Sequence, residues 1–238
     1  MIPQSKGKLF LADERGLNQL DWYRSYNTFN FGNYQHEYKA PFSDLYVLND
    51  DTLVGRKSIS MDVEKHSAII LIPVVGAIEY MDSLGNIGLI KPGHVQLLDL
   101  PAGSRFQVNN LYKKEMVNFL HLWIKANKPN QQQRFAFDLP GNKNQLIEIF
   151  KLNNAIGYVG QFNGRAEATL RASNPDNFLF AFVIDGVFEV QYRLMHARDG
   201  FVLWELNEID MEALSNDAVI MLLEIGKITN HRNLKIVK

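Results

Sequence analysis

Residues Gly55 to Asn110 read GRKSISMDVEKHSAIILIPVVGAIEYMDSLGNIGLIKPGHVQLLDLPAGSRFQVNN, and this run gives the clearest indication of the fold. Short apolar segments alternate here with turns rich in Gly, Pro, Asn and Asp, without a 3.6-residue period. The segments are 58–63, 68–75, 77–81, 87–90, 95–100 and 105–109, followed by 116–124. A spacing of about 8–12 residues is typical of antiparallel sandwiches and barrels. The run therefore predicts an all-β domain.

The flanking sequence predicts more of the same structure. Residues 27–34 alternate polar and aromatic side chains, which favours a half-buried strand or a packed loop, and 42–48 continue in that style. We interpret Asn49-Asp50-Asp51 as a turn. Downstream, apolar segments recur at 146–150, 156–162, 166–171, 178–184, 187–192, 201–206 and 218–225.

The most polar and least periodic run lies at 126–133, between the two series of segments. We therefore expect two domains: an N-terminal barrel over 1–125, a linker over 126–140 and a C-terminal barrel over 141–238. The final residues are candidates to pack back onto the N-terminal barrel.

Composition narrows the function classes. The 238 residues are 46% hydrophobic, with 15 Phe and 9 Tyr, enough apolar material for a sizeable core. The formal net charge is −1 and no basic tract occurs, which argues against nucleic-acid partners and against anionic membrane surfaces. Cysteine is absent, so disulfides and thiolate metal ligands are excluded, and His, Asp and Glu remain as strong ligands.

Targeting features are also missing from the sequence. Residues 1–8 contain no apolar h-region of a secretory signal. The longest apolar run, 68–78, is far shorter than the ~20 residues of a membrane helix. We expect a cytoplasmic protein that is a monomer or a weak dimer.

Several blocks of this sequence are similar to the pirin family of bicupins. They are ADERG at 12–16, YNTFNFGNY at 26–34, VLNDD at 47–51 with the following Gly55-Arg56, GAIEYMDSLGN at 76–86, IKPGHVQ at 90–96, LWI at 122–124 and QQRF at 132–135. The resemblance is strong over about residues 10–135 and general beyond them.

The resemblance implies a two-domain, all-β fold in which two antiparallel jelly-roll barrels stack face to face. It implies one iron-type metal in the N-terminal barrel of most members. It also implies two known roles: some bacterial relatives are quercetin 2,3-dioxygenases, and eukaryotic pirin is a nuclear transcription co-regulator.

The family's metal motifs fall on unusual residues in this chain. The family carries His-x-His with a Glu four residues on, and alternation by two lets a strand point both His ligands into the barrel. These positions fall on Asp62, Glu64 and Ala68. The placement depends on a one-residue insertion between Gly55 and Gly76, so it is open to a slip of one residue.

The second motif is placed more firmly. Pro101, Gly103 and Asn110 keep the family spacing, and the positions of the second His and Glu fall on Phe106 and Val108. First-row metals need about three or four ligands in such a site, and two carboxylates facing Phe and Val do not supply them. We therefore expect no metal and no cofactor here, with Phe106 as a candidate plug of the metal cavity.

Histidines offer a route to a rebuilt site. His66, His94 and His121 are candidates for recruitment, and His121 lies on a predicted strand that can point it inward. A hydrogen-bonded core or rim histidine is the more common role for such a residue. In the second barrel His196 has no strand-spaced partner, so we expect no metal there.

Three functions remain open. The first is a non-enzymatic binding or regulatory protein for a small apolar ligand or a protein partner. The second is a quercetinase-type dioxygenase that holds Fe or another divalent transition metal through Asp62, Glu64 and a recruited His. The third is a metal-free acid–base enzyme using Asp62 and Glu64, although such a pair is more often a solvated or salt-bridged rim. The expected pocket residues are Met61, Phe106, Val108, Phe119, His121 and Trp123.

Overall fold

The computed structural model describes residues 5–126 and 128–226. The first part of the chain forms β1 (Gly7–Phe10), β2 (Gly16–Leu20), β3 (Tyr23–Asn27), β4 (Leu45–Leu53), β5 (Ser58–Val63), β6 (Ser67–Val75), β7 (Ile78–Asp82), β8 (Ile87–Ile90), β9 (His94–Leu100), β10 (Ser104–Asn109), β11 (Val117–Lys125) and β12 (Gln133–Ala136). The remainder forms β13 (Ile147–Lys151), β14 (Ala155–Phe162), β15 (Glu167–Arg171), β16 (Phe178–Asp185), β17 (Val187–Val190), β18 (Arg193–His196), β19 (Gly200–Leu203), β20 (Glu208–Ala213) and β21 (Ala218–Ile225). Two 3-10 helices span Ala12–Glu14 and Pro140–Asn142. In these described ranges no helix is long and apolar enough to cross a membrane.

The strands form four antiparallel sheets, two in each barrel. In the N-terminal barrel, a seven-stranded sheet in the order β12-β9-β6-β11-β4-β3-β2 is combined with a four-stranded sheet in the order β5-β10-β7-β8. In the C-terminal barrel, a six-stranded sheet in the order β1-β19-β16-β21-β14-β13 is combined with a four-stranded sheet in the order β15-β20-β17-β18. The predicted all-β class with two barrels is confirmed.

The chain does not divide between the barrels where the sequence suggested. β1 pairs with β19, so residues 7–10 belong to the C-terminal barrel although the expected N-terminal domain began at residue 1. β12 pairs with β9, so part of the expected linker over 126–140 is an edge strand of the N-terminal barrel. The final residues 227–238, which we considered for packing against the first barrel, lie outside the described residues.

Three buried clusters show how the sheets face one another. One cluster, containing Phe106 and Phe119, fills the N-terminal barrel. A second, containing Phe188, fills the C-terminal barrel. The third contains residues of both halves, among them Leu122 and Phe180, and lies between the two larger sheets. The two barrels are therefore stacked through a shared apolar layer.

Because side chains alternate across a strand, the central strands β4, β6, β9 and β11 of the larger N-terminal sheet have two buried faces. Along β11, Phe119 and Trp123 belong to the barrel interior, whereas Leu120 and Leu122 belong to the layer between the barrels. Alternate residues of such a strand therefore face either the barrel interior or the layer between the barrels. We call this alternation the parity of the strand.

Two irregularities change that parity. In β6, Val75 pairs with Asn118 but Pro73 pairs with Phe119, so one extra residue is inserted at Val74. In β4, Val47 pairs with Trp123 but Leu45 pairs with Ile124, which leaves Tyr46 as an extra residue. β-Bulges of this kind commonly re-aim side chains next to functional sites.

Candidate functional site: the interior and mouth of the N-terminal barrel

One wall of the N-terminal barrel interior is apolar. β5 pairs with β10 so that Met61 lies opposite Phe106. Met61, Val63, Phe106 and Val108 are buried in the barrel core, at most 7% exposed. Three of these side chains carry only carbon, and the thioether sulfur of Met61 is the one hydrogen-bonding or metal-binding atom among them.

The residues at the expected positions of the His-x-His ligands do not face the barrel interior. Asp62 and Glu64 point to solvent, while their neighbours Met61 and Val63 point inward. An extra residue lies at Val74 in β6, where the pairing with β11 shifts by one.

The position expected for the motif's Glu is displaced in the same way. Ala68 faces the layer between the barrels rather than the barrel interior. Its neighbour Ile69, by contrast, belongs to the interior cluster. All three expected positions of the first motif therefore lie on the wrong faces of their strands.

Asp62 forms an exposed ion pair with the strand opposite. Arg105 donates from Nε to Asp62 Oδ1 at 2.7 Å and from Nη2 to Oδ2 at 3.1 Å. The two side chains are 69% and 64% exposed. The hydrogen bond from Arg105 lowers the pKa of Asp62, so this carboxylate is an ionised, solvated group at the rim. That is the opposite of the raised pKa that a general acid needs.

A pocket of about 500 Å³ opens at the mouth of the N-terminal barrel. We call it the mouth pocket, and its wall includes the rings of Phe31, Tyr46 and Trp123. Trp123 lies 5.8 Å from Phe31 and 6.0 Å from Tyr46 between ring centroids, with interplanar angles of 72° and 85°. The pocket is completed by Asn30, Gly32, Gln35, Pro41, Val47, Asp62, Glu64 and Lys65.

Tyr46 reaches this pocket from the bulge in β4. Its hydroxyl is hydrogen-bonded to Ser67 Oγ, and burial raises the pKa of Tyr46 while the Ser67 hydroxyl partly opposes the shift. The phenol is therefore neutral at physiological pH and anchored to β6. Of the expected pocket residues, Trp123 lines the mouth pocket. The other five, Met61, Phe106, Val108, Phe119 and His121, are buried in the barrel interior.

The opposite wall of the barrel interior is polar. His121 and Asp51 are both fully buried, and His121 Nε2 lies 3.1 Å from Asp51 Oδ2, although the angle is outside good hydrogen-bond geometry. Tyr23 donates its hydroxyl to the same carboxylate oxygen at 2.7 Å. Trp123 donates from Nε1 to Nδ1 of His121 at 2.8 Å. These contacts form a chain from Tyr23 through Asp51 and His121 to Trp123.

Further polar side chains extend this wall across β3 and β4. Asn49 lies opposite His121 in the sheet, and Asn27 lies opposite Asn49. Ser25 donates to Asn27 Oδ1 at 2.8 Å. The expectation that Asn49-Asp50-Asp51 forms a turn is wrong, since all three lie within β4. The apolar pair Val47 and Leu48 just before them was the available signal that a strand runs through this segment.

Three further histidines, His66, His94 and His196, lie apart from this wall. His66 Nε2 lies 3.1 Å from both carboxylate oxygens of Asp99, His94 begins β9 and His196 is exposed. Over residues 5–126 and 128–226, no three His, Cys, Asp or Glu side chains are grouped as in a metal site. Of the alternative ligand set, Asp62 and Glu64 are exposed whereas His121 is fully buried.

Comparison with known proteins places the chain in a family. The family model described as Pirin matches residues 11–124, and the model described as Quercetinase C-terminal cupin domain matches residues 152–225. A quercetin 2,3-dioxygenase of Escherichia coli K12 is 23% identical over 220 residues, which cover 88% of this chain and 95% of the relative. A putative quercetin 2,3-dioxygenase of Pasteurella multocida is 24% identical over 225 residues, covering 88% and 96%.

Solved structures agree with this placement. YhhW of Escherichia coli has a TM-score of 0.83 at 22% identity and covers 95% of this chain and 100% of its own. The same bacterial pirin in complex with nickel(II) has a TM-score of 0.81 at 21% identity, covering 94% and 100%. At these identities the structural likeness shows the fold alone. Together with the two matching family models, it shows that this chain is a bicupin of the pirin family.

Proposed function

We propose that this chain binds a flat aromatic small molecule in the mouth pocket and does so without the metal chemistry of its dioxygenase relatives. The observation that carries the proposal is the pocket's aromatic wall of Phe31, Tyr46 and Trp123. Its volume of about 500 Å³ lies within the roughly 300–1,000 Å³ of small-molecule sites.

The arrangement of the three rings suits a planar ligand. Phe31 and Tyr46 each stand at a steep angle to Trp123, so the rings of the wall lie in different planes. Aromatic pairs are favourable in both the offset-stacked and the edge-to-face arrangements. A flat ring can therefore lie against one residue's face while meeting the edge of another.

The rim of the pocket supplies the hydrogen bonds that orient such a ligand. Gln35 and Lys65 add donors, and Asp62 and Glu64 add carboxylate acceptors. This combination suits a ring system with several hydroxyl groups. The curated relatives named as quercetin 2,3-dioxygenases act, by their names, on quercetin, which makes quercetin a suitable probe.

The interior residues do not fit the iron-type metal of the family. A first-row metal site needs about three or four N, O or S donors. The β5–β10 wall supplies the thioether of Met61 alone. On the opposite wall, Nδ1 of His121 already accepts the indole N–H of Trp123. We infer that the family's metal positions have been replaced by apolar side chains, and no metal-dependent step is assigned to this chain.

The test combines metal analysis with ligand titration. Untagged protein is expressed with iron, manganese, nickel and copper available and analysed by elemental mass spectrometry. It is then titrated anaerobically with quercetin by calorimetry, and a separate sample is assayed in air for quercetin-dependent oxygen uptake. We expect less than about a tenth of an equivalent of any transition metal and saturable 1:1 quercetin binding. About one equivalent of a redox metal together with quercetin-dependent oxygen uptake would instead establish the dioxygenase function. Failure to bind quercetin in the titration would reject the proposed ligand class.

A further inference from the structure

We propose that His121 is the positioning residue of the mouth pocket: from inside the barrel it fixes the indole ring of Trp123 in the pocket wall. This inference rests on the proposed function. His121 is fully buried and touches the pocket only through the rings that line it, so its effect on a ligand is indirect.

The contact between the two residues runs along a single strand. Trp123 and His121 are two residues apart on the interior face of β11, and the indole Nε1 donates to imidazole Nδ1 at 2.8 Å. Trp123 is 3% exposed, so its N–H has little access to water. A buried donor without a partner costs about 1–3 kcal/mol, and this bond therefore favours one ring orientation over others.

The accepting atom of His121 is specified by its own neighbours. Because Nδ1 accepts from Trp123, a neutral imidazole carries its proton on Nε2. That atom faces Asp51 Oδ2 at 3.1 Å, where the carboxylate favours a protonated nitrogen. Tyr23 donates to the same oxygen at 2.7 Å and holds the carboxylate in place. The Asp51 carboxylate, held by Tyr23, therefore favours through its charge, without a hydrogen bond to Nε2, the tautomer that can accept the indole hydrogen bond.

Ring contacts confine both side chains further. Phe31 lies 6.0 Å from His121 and 5.8 Å from Trp123 between centroids, and Phe119 also lies 6.2 Å from His121. The imidazole is therefore confined by two further rings as well as by Asp51. A ligand then meets an indole whose orientation is already set, which lowers the entropic cost of binding.

The experiment uses three variants of the full chain and two readouts. His121→Leu removes the acceptor, His121→Gln retains an acceptor oxygen, and Trp123→Phe removes the donor but keeps an aromatic ring. Thr28→Val is the matched control, because Thr28 is a buried polar residue whose hydroxyl forms no hydrogen bond to this chain of contacts. The readouts are the indole N–H resonance of Trp123, assigned by its loss in Trp123→Phe, and the calorimetric affinity for quercetin.

We expect the indole resonance to shift upfield in His121→Leu and to stay near its original position in His121→Gln and Thr28→Val. Quercetin affinity should fall by about tenfold in His121→Leu, the equivalent of one lost buried hydrogen bond, and by less than about threefold in the other two. An unchanged resonance in folded His121→Leu would overturn the inference, as would a retained affinity. If His121→Leu does not fold, His121→Gln decides. An indole N–H resonance that moves in His121→Gln to the position typical of a solvent-exposed tryptophan would overturn the inference.

Failure of the proposed function can be told apart from failure of the inference. If wild-type protein does not bind quercetin, the proposed ligand class is rejected, while the indole resonance still decides whether His121 holds Trp123. If wild-type protein binds quercetin but the indole resonance is unchanged in His121→Leu, the proposed function stands and the positioning role is rejected.

Discussion

Met61 and Phe106 are directly paired across β5 and β10, with both side chains inside the N-terminal barrel. Val63 and Val108 lie on the same face. If these four residues occupy the family's ligand positions, placing histidine at positions 61, 63 and 106 and glutamate at position 108 should rebuild a metal site. We therefore expect the quadruple variant M61H/V63H/F106H/V108E to bind about one equivalent of Ni²⁺, measured by calorimetry and elemental analysis.

The control shifts the first pair of ligands by one residue. The variant D62H/E64H/F106H/V108E carries the same number of new ligands, but those at positions 62 and 64 point to solvent. It should not bind Ni²⁺ stoichiometrically at this site. Equal affinity of the two variants, or tighter binding by the shifted one, would refute the interior register. Since buried polar groups destabilise the metal-free barrel, a Ni²⁺-dependent rise in melting temperature provides a second readout.

Phe31 should contribute to ligand binding through its ring. Phe31→Ala is expected to weaken quercetin binding by about twofold to tenfold, equivalent to ~0.5–1.5 kcal/mol of aromatic contact. Tyr192→Ala removes an aromatic ring that is 65% exposed on the C-terminal barrel and should leave the affinity unchanged. Similar losses in both variants, measured by calorimetry, would place the ligand outside the mouth pocket.

Arg198 connects the two barrels through a buried carboxylate. Its Nε lies 3.0 Å from Asp50 Oδ2. The same carboxylate oxygen lies 3.3 Å from Nη1 of Arg15. Arg198→Ala leaves Asp50 with one cationic partner, so we expect the free energy of unfolding in urea to fall by about 1–3 kcal/mol. Arg171→Ala, which breaks an exposed pair with Glu208, should change it little. If Arg198→Ala lowers the free energy of unfolding as little as Arg171→Ala does, the contact between the barrels adds no stability.

Glu224 should make the free energy of unfolding depend on pH in the acid range. Burial alone would raise the pKa of Glu224, but hydrogen bonds from Ser173, Asn174 and Asn177 outweigh it and lower the pKa. A depressed folded pKa adds stability that is present above the unfolded pKa of about 4.3 and is lost as pH falls through the lower folded value. Chemical denaturation from about pH 3 to neutral pH should show this loss in the wild type and a weaker one in Glu224→Gln. Ser173→Ala, which removes one donor, should be intermediate, and identical pH profiles in all three would contradict the assignment.

Much of the fold could be predicted because its strands are short, apolar and separated by turn residues. The predicted segments 58–63 and 87–90 coincide with β5 and β8. β20 escaped prediction because Glu208, Asp210 and Glu212 alternate with its buried residues, and acidic residues are poor strand formers. Asn49 and Asp51 were misplaced for a related reason: polar residues in a local sequence favour a turn, and only pairing with β3 and β11 reveals a strand.

The site was predicted less well than the fold because it depends on strand parity. A single inserted residue at Val74 exchanges the two faces of the strand before it, and nothing in the local sequence marks where the insertion lies. The aromatic pocket depends likewise on Tyr46, whose direction follows from the bulge in β4. The polar wall brings together residues 23, 51 and 121, whose proximity requires the tertiary fold.

The pairing of residues 7–10 with residues 200–203 has a consequence for how the protein is synthesised. β1 is synthesised almost two hundred residues before β19, the strand with which it pairs. A fragment starting near residue 141 lacks this edge strand and should expose unpaired backbone along β19, which invites association between copies. A fusion placed before residue 7 would therefore adjoin the C-terminal barrel, although it precedes the N-terminal one in the chain.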